Sequence, residues 1–217
     1  MTPAEPSPPG GGLSFTAARP DSAALAAGAQ LFARPASFLK SVVAEDGMPP
    51  ADRVELCVAG RSNAGKSSLI NALVGQKGLA RSSSTPGRTQ EINFYDLAGS
   101  HYLVDLPGYG YAAAPKARVA GWQRLMRAYL AGRPALRRAF VLIDARRGAG
   151  ALDEEIFTLL DSSAVVFQAV LTKADKLPRA AREAAVTDLA GALARHPAAF
   201  PEIVSTSAVK CEGIDTL

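Results

Sequence analysis

Apolar positions along the chain fall into two recurring patterns. Six runs have strand length: residues 54–59, 92–97, 101–106, 139–144, 164–171 and 202–205. Those at 139–144 and 164–171 are nearly continuous in Val, Leu, Ile, Phe and Ala, as in parallel strands covered on both faces. Only Ala98, Gly99 and Ser100 separate two of the runs, which predicts a β-hairpin. Helical spacing appears at 68–74, at 115–130 (Val119, Trp122, Leu125, Met126, Tyr129), near 153–160 and near 179–194. Strands alternating with helices predict an α/β fold. Its sheet is doubly wound, mostly parallel and six-stranded, with one antiparallel strand and helices on both faces.

Upstream, residues 1–20 are rich in Pro, Gly and Ser and are expected to form a disordered tail. Leu25, Leu31, Phe32, Phe38, Leu39, Val42 and Val43 suggest one or two short helical pieces interrupted by Pro35. Residues 21–51 are therefore expected to be a helical extension packed on a main domain at 52–217, entered after Pro49-Pro50. No internal repeat is visible.

Composition narrows the class. Hydrophobic content of 48% supports a packed core, and 217 residues suit one domain with tails. No apolar run is long enough to span a membrane. Glu5 and five prolines in the first twenty residues argue against a signal peptide. Cys57 and Cys211 form no metal spacing, and inert thiols in a reducing cytoplasm are expected. Net charge is +4, yet residues 116–147 hold nine Lys or Arg against one acid, Asp144. Two readings weigh equally there: a solvated helix face, or a basic surface for a phosphate-rich partner such as RNA. His101 reads as a surface residue beside the hairpin turn, and His196, before Pro197, as a helix-end residue.

The chemistry centres on Gly60-Arg61-Ser62-Asn63-Ala64-Gly65-Lys66-Ser67, which reads G-x-x-x-x-G-K-[ST] between a strand and a helix. That context makes it a phosphate-binding loop: backbone N–H groups and the helix N-terminus cradle a polyphosphate. Lys66 adds charge at the β- and γ-phosphates, and the Ser67 hydroxyl is placed for Mg²⁺. Thr89, in the long polar loop 76–90, can offer a second hydroxyl to Mg²⁺. Asp105-Leu106-Pro107-Gly108 ends a strand, with a carboxylate for the metal's water shell and an N–H for the γ-phosphate. Two loops that order around a triphosphate make a switch. Thr172-Lys173-Ala174-Asp175 follows the next strand; its Asp175 can accept from N1–H and the 2-amino group of guanine, so GTP is selected over ATP. Lys173 can lie along the base and the phosphate-binding loop, and Thr206-Ser207-Ala208 can close over guanine O6. All lie at strand C-terminal ends, where α/β sheets bind ligands. The sequence reads as a GTPase.

These strings, with Thr85-Pro86-Gly87-Arg88-Thr89-Gln90 and Asp105-Leu106-Pro107-Gly108-Tyr109-Gly110-Tyr111, resemble the EngB (YihA/YsxC) family of bacterial GTPases from about Phe32 to Leu217. The resemblance implies a P-loop NTPase fold of the Ras-like G-domain kind. It extends the expected nucleotide set to Ser68, Gly87, Arg88, Gln90 and Glu91. It also implies a cytoplasmic protein acting in assembly of the large ribosomal subunit, with links to cell division and septation. Family members continue beyond residue 217 into a final amphipathic helix. That helix is therefore expected to be missing, leaving apolar surface uncovered and a lower thermal midpoint than in an extended chain.

Ras-like proteins place a water-orienting glutamine after the glycine equivalent to Gly108; Tyr109 stands there instead. Intrinsic turnover is expected to be slow, ~10⁻⁴ s⁻¹ or below. The catalytic set is then Lys66, Asn63, Thr89 and Gly108. Asn63 is read either as an aid in holding K⁺ beside the phosphates or as an ordinary turn residue. For output, Tyr109, Tyr111, Lys116, Arg118, Arg124 and Arg127 suggest an aromatic and basic surface for ribosomal RNA, with Trp122 in the core. The chain is expected to be a monomer that binds neither DNA nor membrane. A switch acting directly on a division-machinery protein is the alternative; a metabolic kinase lacks support, having no lid.

Overall fold

All six runs become strands of one sheet, and two further strands join its edges. The computed structural model describes residues 14–19, 21–81, 91–110 and 116–217, without the side chains of 116–120 and 122. In chain order the strands are β1 (Thr16–Ala17), β2 (Ala36–Val42), β3 (Val54–Gly60), β4 (Ile92–Leu97), β5 (His101–Asp105), β6 (Leu136–Asp144), β7 (Phe167–Thr172) and β8 (Glu202–Ser205). Their spatial order is β1-β8-β7-β6-β3-β5-β4-β2. Pairs are parallel except β4 with β5 and β4 with β2, so β4 alone runs against the others. The single reversed strand is as expected, and the count among the described residues is eight where six were expected. The hairpin turns at Ala98 and Gly99, both at positive φ (59° and 70°).

Both additional strands come from upstream of the main domain. Within the expected tail, Thr16 and Ala17 pair with Glu202 and Ile203; residues 1–13 and 20 lie outside the described residues. In the expected helical extension, α1 (Ser22–Phe32) is a helix capped by the Asp21 carboxylate, which accepts from Ala24 N at 2.7 Å. Ala36–Val42 is instead a strand. The free edge of β4 offers it a full ladder of backbone partners, which a short helix after Pro35 would forgo. Phe38 packs edge-on against Tyr95 (5.9 Å between rings), fixing its register.

The remaining helices are α2 (Lys66–Leu73), α3 (Lys116–Gly132), α4 (Ala151–Ser162) and α5 (Arg179–Leu193). On one face, Leu125, Met126, Tyr129, Phe157, Leu160, Leu189 and Leu193 from α3, α4 and α5 meet Phe94, Val104, Val141 and Phe167. On the other, Leu69 and Ile70 of α2 pack with Val58, Tyr95, Leu103, Leu142 and Val170, and Leu31, Phe32, Ile214 and Leu217 join them. Central strands therefore bury both faces, as their continuous apolar runs require.

Two buried polar clusters tie the layers together. Glu55 on β3 is fully buried and accepts from Arg133 Nε (2.9 Å), Arg133 Nη2 (2.5 Å) and the Tyr129 hydroxyl (3.0 Å). His196 does follow α5, but it is buried: Nδ1 lies 2.6 Å from Asp161 and Nε2 3.0 Å from Glu154, fastening α4 to that turn.

Candidate nucleotide-binding site

β3 delivers the chain to residues 60–65, and α2 opens at Lys66 from a left-handed Gly65 (φ 97°). Ser67 and Ser68 stand in its first turn, at the positive end of the helix dipole. Gly60 has no room for a side chain, since a Cβ there would lie 3.0 Å from Leu142 Cβ and O. The loop is thus wedged against β6.

Backbone pairing joins the end of β5 to this loop. Leu106 N donates to Val58 O (3.0 Å), Tyr109 N to Gly60 O (3.4 Å), and Ser62 N to Tyr109 O (2.8 Å). Gly108 consequently passes so close that a Cβ would stand 3.1 Å from both Lys66 Nζ and Ser62 Cα. The expected juxtaposition of Gly108 with Lys66 is present. Pro107 and Leu106 are buried under the turn.

Asp105 is buried, and its Oδ1 has no hydrogen-bond partner among the described residues. Burial raises its carboxyl to about 6, with Lys66 opposing. An orphaned buried oxygen within the electrostatic reach of Lys66 fits the water shell of a cation. Ser67 and Asp105 are therefore compatible with Mg²⁺. Thr89, Gly87, Arg88 and Gln90 lie outside the described residues; Glu91 sits just ahead of β4.

The segments expected to read guanine, 172–175 and 206–208, also meet this loop or one another. Thr172, at the end of β7, is buried and donates through Oγ1 to Ala64 O at 2.7 Å. Lys173, left-handed at φ 58°, donates through Nζ to Asn63 O at 2.6 Å. These two bonds fix the loop from behind. Asp175 Oδ1 accepts from the Ser207 hydroxyl at 2.8 Å, and Lys176 Nζ is 3.3 Å from Oδ2. That hydrogen bond and then Lys176 draw the carboxyl below its ordinary value, keeping it charged to receive two N–H donors. Ala174 N donates to Thr206 O (3.0 Å), so segments 172–175 and 206–208 form one unit.

Three side chains not singled out as site residues complete the arrangement. Asp144, at the end of β6, accepts from Lys173 Nζ (3.0 Å) and from Arg146 Nε (2.9 Å) and Nη2 (2.7 Å). Arg146 first and Lys173 next hold its carboxyl well below the usual range. Asp153 on α4 is fully buried, accepting from Gly150 N (2.8 Å) and the Tyr109 hydroxyl (2.8 Å). An acid closing a strand in an α/β sheet was the available signal for Asp144; nothing local marked Asp153.

Tyr109 corrects one expectation. Its ring is 3% exposed, so in this arrangement it offers no stacking surface. Burial and the neighbouring Asp153 raise its hydroxyl far above the ordinary value, keeping it a donor. Tyr111 lies outside the described residues. The basic stretch also divides: Arg133 is spent on Glu55, and Arg138 stacks on Phe200 at 4.1 Å, whereas Arg124, Arg127, Arg137 and Arg147 are exposed.

A family model described as 50S ribosome-binding GTPase matches residues 55–173. The chain is 63% identical over 198 residues to the probable GTP-binding protein EngB of Cereibacter sphaeroides, covering 91% of each. It is 62% identical over 201 residues to that of Ruegeria pomeroyi, covering 93% of each. Among solved structures, a probable GTP-binding protein engB matches with a TM-score of 0.59 at 22% identity, over 75% of this chain and 93% of the other. Era, solved with MgGDPNP and nucleotides 1506–1542 of 16S ribosomal RNA, matches at 0.53 and 23% identity, over 73% of this chain and 52% of that one. At such identities these structures speak for the fold.

Proposed function

This chain belongs to the EngB family of GTP-binding GTPases, and on that premise we propose that it is a GTP-driven switch in assembly of the large ribosomal subunit. In this reading, normal cell division and septation depend on that work, and the protein acts in the cytoplasm. No helix among the described residues is long and apolar enough to cross a membrane. The observation that carries the reading is the match of residues 55–173 to a 50S ribosome-binding GTPase model. Exposed Arg124 and Arg127 on α3, the helix that follows the Asp105–Gly108 loop (the second switch) in sequence, support it.

GTP hydrolysis in such a site is mostly positioning and charge neutralisation. Residues 60–67 wrap the phosphates, and Lys66 places its charge beside Gly108. Thr172 and Lys173 keep the loop from yielding as charge builds. Ser67, Thr89 and Asp105 would hold Mg²⁺, which when bound neutralises charge on the β- and γ-oxygens. Tyr109, buried and bonded to Asp153, is not available to orient water, consistent with slow turnover. Asn63 is exposed and left-handed (φ 66°), a conformation asparagine tolerates, and its side-chain amide, the group K⁺ would need, makes no hydrogen bond to another described residue. Asn63→Ala should erase any difference between rates in K⁺ and Na⁺; rates matching wild type in both salts would remove the potassium role.

The test is co-sedimentation with large ribosomal subunits under a non-hydrolysable GTP analogue, GDP and no nucleotide. Binding confined to the analogue is expected, and equal or absent binding in all three would contradict the reading. Phe38 (52% exposed), Leu39 (42%) and Val43 (72%) on or beside edge strand β2 favour a second reading, a protein partner in the division machinery. Binding through that edge would resist salt, unlike binding to RNA.

A further inference from the structure

The side chain of Arg61 reaches from the phosphate-binding loop to Gly150, at the N-cap of α4. Its guanidinium lies in a slot between two glycines. A Cβ on Gly110 would stand 3.5 Å from Nε, and one on Gly150 would stand 3.4 Å from Nη1. The slot opens into a cavity of about 60 Å³ whose lining includes Asn63, Asp144, Arg147, Gly148 and Lys173. Four cationic side chains line it (Arg61, Arg146, Arg147, Lys173) against two carboxylates, Asp144 and Asp153.

Both carboxylates are already committed. Asp144 is held by Arg146 and Lys173. Asp153 is held by the Tyr109 hydroxyl and Gly150 N. No hydrogen bond or ion pair joins Arg61 or Arg147 side chains to another described residue, although Arg61 is half-buried. Guanidinium donors gathered without acceptors at a positive cavity call for an anion, and their planar forks suit phosphate oxygens. The nucleotide's own phosphates belong at Lys66 and Ser67, neither of which lines the cavity. α3, which packs against α4, carries the exposed Arg124 and Arg127, adding positive surface that a lone anion would not require.

We propose that this cavity receives a backbone phosphate of ribosomal RNA. The inference rests on the reading of the chain as a large-subunit switch and gives that reading a contact point. Asp153 in the cavity's lining accepts from the Tyr109 hydroxyl, so any nucleotide-driven movement of the segment after Asp105 reshapes the cavity. Occupancy is therefore tied to nucleotide state without a separate relay.

The test compares Arg147→Glu with Arg179→Glu, an equal charge change on the exposed surface of α5, away from the cavity. Co-sedimentation with large subunits in the GTP-analogue state is measured over a salt series. Arg147→Glu should bind about tenfold more weakly and flatten the salt dependence by roughly one phosphate contact, ~0.7–0.9 in log–log slope. Arg179→Glu should stay within about twofold of wild type. GDP affinity and basal GTPase rate should be unchanged in both, since neither side chain serves the nucleotide. Equal losses in the two variants, or none in Arg147→Glu, would overturn the proposal while leaving the large-subunit reading intact. A loss seen with intact subunits but not with deproteinised large-subunit RNA would overturn it in favour of a protein contact. Absence of wild-type binding in every nucleotide state would remove the large-subunit reading and this inference with it.

Discussion

Thr172 and Ala64 are 108 positions apart in sequence, yet one hydroxyl-to-carbonyl bond of 2.7 Å between them helps set the phosphate-binding loop. Thr172→Ala deletes that donor and leaves a buried carbonyl with one fewer partner, at a cost of about 1–2 kcal/mol in the loop's bound geometry. Titration with a fluorescent GDP analogue should show affinity about five- to thirtyfold weaker, with Thr172→Ser near wild type. Asp144 carries a pH signature. Its carboxyl is depressed in the folded state by Arg146 and Lys173, so the stability it contributes is complete above its unfolded value, ~3.9. That contribution is lost as pH falls below there toward the folded value. Asp144→Asn should be less stable than wild type at neutral pH, and urea unfolding should show the gap closing below about pH 4; a constant gap would deny the ionic role. At this scale the sequence was most informative where chemistry follows the backbone. Residues 60–67, Asp105, Gly108 and Asp175 were legible because each motif is local to one strand end. Asp153 and the burial of Tyr109 were not, because they depend on how α4 lands against the segment after β5.

At the scale of elements, the buried Glu55 makes β3 and α3 interdependent. Arg133→Ala would leave a fully buried carboxylate without its cation, costing about 3 kcal/mol in urea unfolding. A loss below about 1 kcal/mol would mean the carboxylate finds another partner. Tyr109→Phe removes one bond to Asp153 and should lower stability by about 1 kcal/mol while loosening the second switch. Hydrogen exchange should then quicken at residues 106–110 and stay unchanged in β8. The six central strands and four of the helices were readable from periodicity alone, because each is long enough to show its repeat. β1 has two residues, too few to carry a pattern. β2 read as helical since Phe38, Leu39, Val42 and Val43 lie at helical spacing. Its structure is decided by the unpaired edge of β4, which no local sequence announces.

Across the whole molecule, the sheet brings five sequence segments to one end, where two of them restrain a single loop through three hydrogen bonds. Ser62 is tied to Tyr109, Ala64 to Thr172, and Asn63 to Lys173. Such a site can report nucleotide identity and state to any surface resting on the second switch. The most direct check exchanges the base that the switch obeys. Asp175→Asn turns one acceptor into a donor, so its amide can pair with xanthine O2 and N1–H where the carboxylate paired with guanine. Co-sedimentation with large subunits should follow the GTP analogue for wild type and the xanthosine analogue for Asp175→Asn. Wild-type binding that ignores nucleotide, or a variant that still follows guanine, would contradict the account.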